Sequence, residues 1–457
     1  MIMENTISRQ ISKFAINLKY EDLPDDVVYA VKRFLYDSIG CAYGAFHTKD
    51  VNIIYDIYKD IGGKPEATII GFGDKLPAVN ASLVNSLMIR SLDFNDIYWK
   101  EDPSHPSDII PAALAVGEMV DAKMEDVIVA IVLAYEFEMR MCEFAVPGVR
   151  ERKWHHATIT QFVSPVVAGK LLNLTEDEMM NAIGINASHN HTIGCPTAGK
   201  LTMMKNTVDP MAVQSGVFAA LMAKKGYTGT EAVFEGKEGF MDVFGSDWNI
   251  DKLTGALGKR FKILECSMKA FPSEALTHTH ITATLKAVIE NDIKPENIKE
   301  VRVTAIAKAV DILFDENKYE INSRETADHS LPYCVARVII DRKITTQSFD
   351  KEKLFDPLLK DLIYKIKGEP SEKFEKMFLE KQPSQVVIRT KDDKEYKAYL
   401  EFPKGDPREP MTMKDLDNKF NALSDKLLSE DKKNMIKDLI FNCENITVQE
   451  FMKQLII

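Results

Sequence analysis

Cysteine is scarce in this chain, and what there is lies apart. The six cysteines, Cys41, Cys142, Cys195, Cys266, Cys334 and Cys443, form no C-x-x-C pair and no cluster. A zinc site or an iron–sulfur cluster is therefore not expected. Reduced thiols in a cytoplasmic protein are the simplest reading. Positive charge is also short: 58 Lys and Arg face 69 Asp and Glu, for a formal net charge of -11. That balance argues against nucleic acid as a general partner. It leaves room for an anionic small molecule, provided cations are gathered locally. Long hydrophobic runs are missing as well. The longest, Val127 to Tyr135, is too short to cross a bilayer. The first residues, MIMENTISRQISKF, break their apolar positions with polar ones, unlike a signal peptide. Phosphate-cradling loops are absent: there is no G-x-G-x-x-G after a strand and no G-x-x-x-x-G-K-[ST]. No G-x-S-x-G elbow marks a serine hydrolase. No repeat or low-complexity stretch stands out.

What is present is a long run of helices. The 457 residues suffice for about two or three domains. Apolar residues recur at helical spacing over 24–44, 77–92, 109–121, 124–141, 157–172, 175–188 and 207–225. Thr175 and Glu178 stand at capping-box spacing, and Gly226 marks a helix stop. Many alanines in these segments predict close helix–helix packing. The texture changes near Cys266. Strand-like runs at 300–305, 385–390 and 396–402 surround a helical run at 330–340. Beyond Pro403 the chain returns to helices, near 412–421, 424–441 and 446–455. The expected architecture is mainly α. A large all-helical domain, 1–265 and 404–457, would carry an inserted smaller α+β lid domain, 266–403.

Residues able to do chemistry concentrate where an apolar helix ends. The segment RSLDFNDIYWKEDPSHPS, 90–107, sets Arg90, Asp93, Asp96 and His105 close together. Asp93 and Asp96 are three apart, so a shared face on a helix end is expected. A solvated helix terminus is the plainer reading. The buried-looking run before them favours a cleft. Pro106 would turn His105 away from helical geometry. The nearby carboxylates would then raise its pKa and make it a proton donor. Trp154, His155 and His156 start another helix, and at most one of the two histidines should face a given cleft. His189 and His191 have no evident third partner for a metal. Lys200, Lys205 and Lys269 are the cationic candidates, with apolar neighbours that leave them either snorkelling or paired with an anion.

Four passages carry a family resemblance across nearly the whole chain: 90–108, 153–174, 200–236 and 323–336. The motifs R-x-L-D-F-N-D, H-P-S-D and R-E-T-A-D-H-S-L-P-Y resemble the MmgE/PrpD family, most of all its 2-methylcitrate dehydratase branch. The resemblance implies a helical domain, an α+β lid, a cleft between them, a homodimer and no iron–sulfur cluster. Within it, Asp93 matches the first aspartate of D-F-D/N-D, and His105 the histidine of the His-Pro-Ser turn. Lys205 and Lys269 match two family lysines. His156 matches the histidine of a D-H pair whose aspartate is here His155. Ile97 stands where related decarboxylases carry threonine, which disfavours decarboxylation.

The expected reaction is metal-independent and cofactor-free loss of water from a 2-hydroxy tricarboxylate such as 2-methylcitrate or citrate. The proton removed lies beside a carboxylate, so cations must stabilise the developing charge. Lys205, Lys269 and Arg90 are the candidates, the last two as substrate-binding groups. His105 is the expected general acid, with Asp93 positioning it or acting as the opposing base, and His156 is a second base. The alternatives are decarboxylation of a cis-aconitate-type substrate, or epimerisation or isomerisation of a polycarboxylate. A non-catalytic polycarboxylate-binding protein is the remaining class.

Overall fold

The computed structural model describes residues 5–198 and 201–457. Lys200 falls outside them. The first part is helical: α1 (Ile7–Asn17), α2 (Asp25–Gly44), α3 (Lys49–Ile61), α4 (Ala78–Arg90), α5 (Ile110–Met119), α6 (Met124–Phe144), α7 (Ala157–Leu171), α8 (Glu176–Ala187) and α9 (Met204–Lys224). Helix α8 starts at the expected capping box, with Thr175 and Glu178 each holding the other's backbone N–H. Helices α4 to α7 are apolar on most sides because other helices surround them, and α6 is buried over nearly its whole length.

Small residues let α7 and α9 approach closely. A Cβ added at Gly216 would come within 2.0 Å of Ser164 Oγ and 2.7 Å of Pro165 N. Pro165 lies inside α7 and cannot donate to the carbonyl of Gln161. Asn186 of α8 supplies that donor through Nδ2 at 2.7 Å. The proline gap therefore ties three helices together.

Apolar residues fall into two large clusters. The first runs from Ile7 to Met268 and resumes with Met411 to Leu455. In the resumed part, Phe420 stacks on Tyr36 of α2 at 4.4 Å, and Lys419 pairs with Asp37 at 2.7 Å. The second cluster spans Leu276 to Ala398. It packs His278–Glu290 and Leu331–Asp341 against a four-stranded sheet ordered Glu395–Leu400, Ser384–Thr390, Ile298–Ala305, Ile366–Pro370. The first three strands are antiparallel, and the last pairs parallel to Ile298–Ala305. That last strand, IKGEP, was not foreseen, because its glycine and proline read as loop. The protein is mainly α with small sheets, as expected. Among the described residues no helix is long and apolar enough to cross a membrane.

Candidate functional site

A small three-stranded sheet gathers the candidate residues. Asp96–Trp99 pairs antiparallel with Pro103–Ser104 on one side and Ser267–Met268 on the other. Asp93 leads into the first strand, His105 follows the second, and Lys269 follows the third. Helix α4 ends at Arg90, and three residues later Asp93 takes a left-handed backbone, φ 50°. Asp93 and Asp96 therefore do not share a helix face, contrary to expectation. The turn and the strand send the two carboxylates to different surroundings.

Asp93 sits among three cations. Its Oδ1 meets Arg90 Nη1 at 2.5 Å and Lys269 Nζ at 2.7 Å, and its Oδ2 meets Lys205 Nζ at 3.1 Å. Lys269 also donates to the Asp93 carbonyl at 3.2 Å. All four side chains are buried. Burial alone would raise the Asp93 pKa, but Lys205, Lys269 and Arg90 hold it well below the usual carboxylate range. Burial drives Lys269 the opposite way, below the ordinary lysine value, with Asp93 opposing. Asp96 instead accepts from the Ser107 hydroxyl at 2.6 Å and the Ser107 N–H at 3.1 Å. Burial raises its pKa to about 6.

His105 does not behave as its neighbours in sequence suggest. Its Nδ1 lies 2.6 Å from the carbonyl of Asp96. A carbonyl only accepts, so Nδ1 carries the hydrogen and Nε2 is left as a lone pair. Burial, then Arg90 and Lys269, push its pKa well below the ordinary imidazole value. The expectation that adjacent carboxylates raise it is overturned, because burial, reinforced by Arg90 and Lys269, outweighs the carboxylate of Asp93. Burial and the tautomer thus favour a neutral His105 ring that accepts at Nε2.

His155 and His156 precede α7 instead of lying within it. His156 lines the same cavity as His105, with ring centroids 5.5 Å apart. His155 packs behind it, centroids 3.9 Å apart, and accepts the Ala157 N–H at Nδ1. Lys205 sits in the first turn of α9. His189 is exposed, and His191 Nε2 donates to the Ala187 carbonyl at 2.8 Å. Neither belongs to the site.

The cavity between these groups is about 50 Å³, room for one or two waters. Arg90, Asp93, His105, His156, Lys205 and Lys269 all line it. So do Arg150, Glu274 and His329, to which sequence reasoning gave no role. His329 had a signal, since it lies in the passage 323–336 that carries the family resemblance. Burial lifts the Glu274 carboxyl to about 7. Burial and Lys205 lower His329 to about 4. Glu274 precedes the second apolar cluster and His329 lies within its span, so the wall is shared between both parts of the fold. A larger groove of about 640 Å³ passes Glu143, Lys252 and Lys262. Its most buried carboxylate is already paired: Glu143 meets Lys252 at 3.2 Å and Lys262 at 2.7 Å. The smaller cavity, where catalytic residue types converge, is the candidate site.

Residues 9–252 match the MmgE/PrpD N-terminal domain, and residues 271–445 match the MmgE/PrpD C-terminal domain. The chain belongs to the MmgE/PrpD family. It is similar to the cis-aconitate decarboxylase of Homo sapiens, 24% identical over 97% of this chain and 93% of that protein. The cis-aconitate decarboxylase of Aspergillus terreus is also 24% identical, over 96% of this chain and 94% of its own length. The 2-methylcitrate dehydratase of Salmonella typhi is 23% identical over 76% of this chain and 74% of that protein. These relatives are enzymes.

Proposed function

We propose that this protein is a lyase acting on a tricarboxylate of the cis-aconitate type, and that its reaction is loss of carbon dioxide. The observation that carries this reading is the buried set of Arg90, Lys205 and Lys269 around Asp93, with His105 and His156 on the same cavity. The likeness to decarboxylases over almost the full chain gives this reading preference over dehydration.

Decarboxylation breaks the bond between carbon and the departing carboxylate. The electron pair stays on that carbon, and a proton must then replace the lost group. Cations fixed in a buried site stabilise the developing charge without reorganising, and such electrostatic preorganisation is usually the largest single term in catalysis. Lys205, Lys269 and Arg90 hold the substrate carboxylates, and Arg150 adds a further cation at the wall. Glu274, protonated up to about pH 7, donates a hydrogen bond to a carboxylate. The segment 266–403 acts as the lid. It opens to admit a tricarboxylate larger than the present cavity and closes to exclude water.

Dehydration of 2-methylcitrate or a related 2-hydroxy tricarboxylate is the second reading. Ile97, on the cavity wall where related decarboxylases carry threonine, favours it. His105 would then be the base, not the acid. Incubation with cis-aconitate, citrate, 2-methylcitrate and isocitrate, followed by NMR and by carbon dioxide release, separates the two. Carbon dioxide from cis-aconitate supports the first reading. A new alkene without carbon dioxide supports the second. No turnover of any of the four would sink both.

The assembly we propose is a homodimer through the helical part. Ile53, Ile57 and Ile61 form an exposed row on α3, and Met204, Met211 and Phe218 form another on α9. Tyr58 and Gln214 link the two helices at 2.9 Å. Adjacent exposed apolar rows of this kind mark an interaction face.

A further inference from the structure

Helix α9 brings a second buried carboxylate to the site, one turn after Lys205. Asp209 is 1% exposed, and its Oδ2 lies 3.3 Å from His156 Nε2. Donor atoms of His155, His156 and Asp209 all fall within 4.8 Å of one another. Such a set invites a divalent cation, but the protons argue against one. His155 Nδ1 accepts the Ala157 N–H at 3.0 Å. The hydrogen of the neutral ring is therefore on Nε2, which has no lone pair to give a metal. His155 Nε2 can only donate.

His156 has the opposite freedom. Both its ring nitrogens are buried, and neither makes a well-aligned hydrogen bond. The Asp209 oxygen beside Nε2 is also without an aligned partner. Catalytic hydrogen bonds are often long or misaligned before substrate binds. A carboxylate at this distance holds a hydrogen on Nε2 and leaves a lone pair on Nδ1. His105 instead has a carbonyl at its Nδ1, and Arg90 and Lys269 nearby. Two histidines 5.5 Å apart thus have opposite backing: one a carboxylate, the other a carbonyl and two cations.

We propose that Asp209 is a positioning residue that fixes His156 as Nε2–H and balances the imidazolium formed when Nδ1 takes up a proton. This makes His156 the proton donor of the site and leaves His105 neutral. The inference rests on the lyase reading above and supplies its missing acid. In decarboxylation, His156 Nδ1–H gives its proton to the carbon that has lost carbon dioxide. The ring returns to neutral, and solvent reprotonates Nδ1 for the next turnover. Asp209 keeps its charge throughout. Burial would raise its pKa, but His156 and His155 hold it below the usual carboxylate value. The other titratable or charged groups around this pair are His105, His155, Asp108, Glu138 and Arg90.

Two measurements test it. The first is ¹⁵N NMR of histidine-labelled protein without substrate, with the His156 signals assigned by loss in His156→Gln. Wild type should show hydrogen on Nε2, and Asp209→Asn should shift His156 toward a mixture of tautomers. Hydrogen on Nδ1 in wild type would overturn the proposal, whatever the substrate proves to be. The second is the pH profile of kcat and KM on the substrate that the four-compound panel identifies. Asp209→Asn should lower kcat by about 10²–10⁴-fold, the range for a positioned acid or base, with KM changed far less. Asp209→Glu should recover part of the loss. An Asp209→Asn protein within threefold of wild type, with an unmoved pH profile, would overturn the proposal. If Asp209→Asn does not fold, the wild-type NMR and Asp209→Glu still decide. If no compound in the panel turns over, the lyase reading fails while the tautomer result still judges Asp209.

Discussion

Replacing Asp93 by asparagine keeps the shape of the side chain and removes the one charge that three buried cations share. Contacts of 2.5, 2.7 and 3.1 Å join its carboxylate to Arg90, Lys269 and Lys205. At an effective dielectric of about 20, each contact near 3 Å represents roughly 5 kcal/mol of attraction. The sum does not survive as stability, because the same cations repel one another in wild type and cost desolvation. Lys269, whose pKa burial already lowers, can also shed its proton when Asp93 is neutralised. Breaking a buried pair by removing one partner typically costs about 3–5 kcal/mol, and that is the loss expected for Asp93→Asn. Urea unfolding is the assay. A polycarboxylate such as citrate should restore more stability to the variant than to wild type, since it brings anions to orphaned cations. At 100 times its dissociation constant, a ligand adds about 2.7 kcal/mol. A variant within about 1 kcal/mol of wild type, or one that citrate fails to favour, would refute the counter-ion argument.

Four further outcomes follow from the same structure. The His105 pKa is lowered on folding, so the neutral form persists as pH falls past the ordinary imidazole value of about 6.5. Activity limited by neutral His105 should stay flat from pH 7 to 6, and a fall centred at 6.5 or above that disappears in His105→Asn would contradict this. Glu138, fully buried, is pushed up to about 8 by burial, so its contribution to stability is complete below its unfolded value near 4.5 and is lost as pH rises through 8. At 1.36 kcal/mol per unit that is roughly 5 kcal/mol, and Glu138→Gln, which can still accept from Ser104 and Thr160, should flatten the pH dependence of urea unfolding across this window. At Gly405, φ is 97° and an added Cβ would lie 1.8 Å from the Met268 carbonyl; Gly405→Ala should therefore destabilise by about 2–3 kcal/mol or more and raise KM by displacing neighbouring Lys269. Phe218→Glu on the exposed α9 row should turn a dimer into a monomer of 51.6 kDa by light scattering, whereas wild type that is already monomeric at micromolar concentration would exclude the dimer.

The helices were legible because their apolar spacing and caps are local. Helix α6 was expected over 124–141 and runs to Phe144, and the Thr175 capping box stands where its spacing put it. The same spacing misled one step past Arg90. It was carried on to Asp93 and Asp96, where the backbone first turns left-handed and then enters a four-residue strand. Strands of two to four residues leave almost no periodic signal, so the small sheet that joins Asp93, His105 and Lys269 was invisible, although each residue had been singled out by type. The electrostatics failed for a related reason. Along the chain His105 has aspartates for neighbours, while in space it has Arg90 and, from 164 positions further on, Lys269. Asp209 lay within the family-like passage 200–236 but was not singled out: a polar residue inside a helix reads as solvated surface until the packing of α7 on α9 is seen to bury it. The inventory of a buried ionic site can thus be read where apolar helices end. The sign of each residue's proton affinity cannot, because it is set by partners that only long-range packing supplies. In this protein that packing reverses the first assignment: the histidine beside the aspartates is the neutral one, and the histidine with no acidic neighbour in sequence is the one backed by a carboxylate.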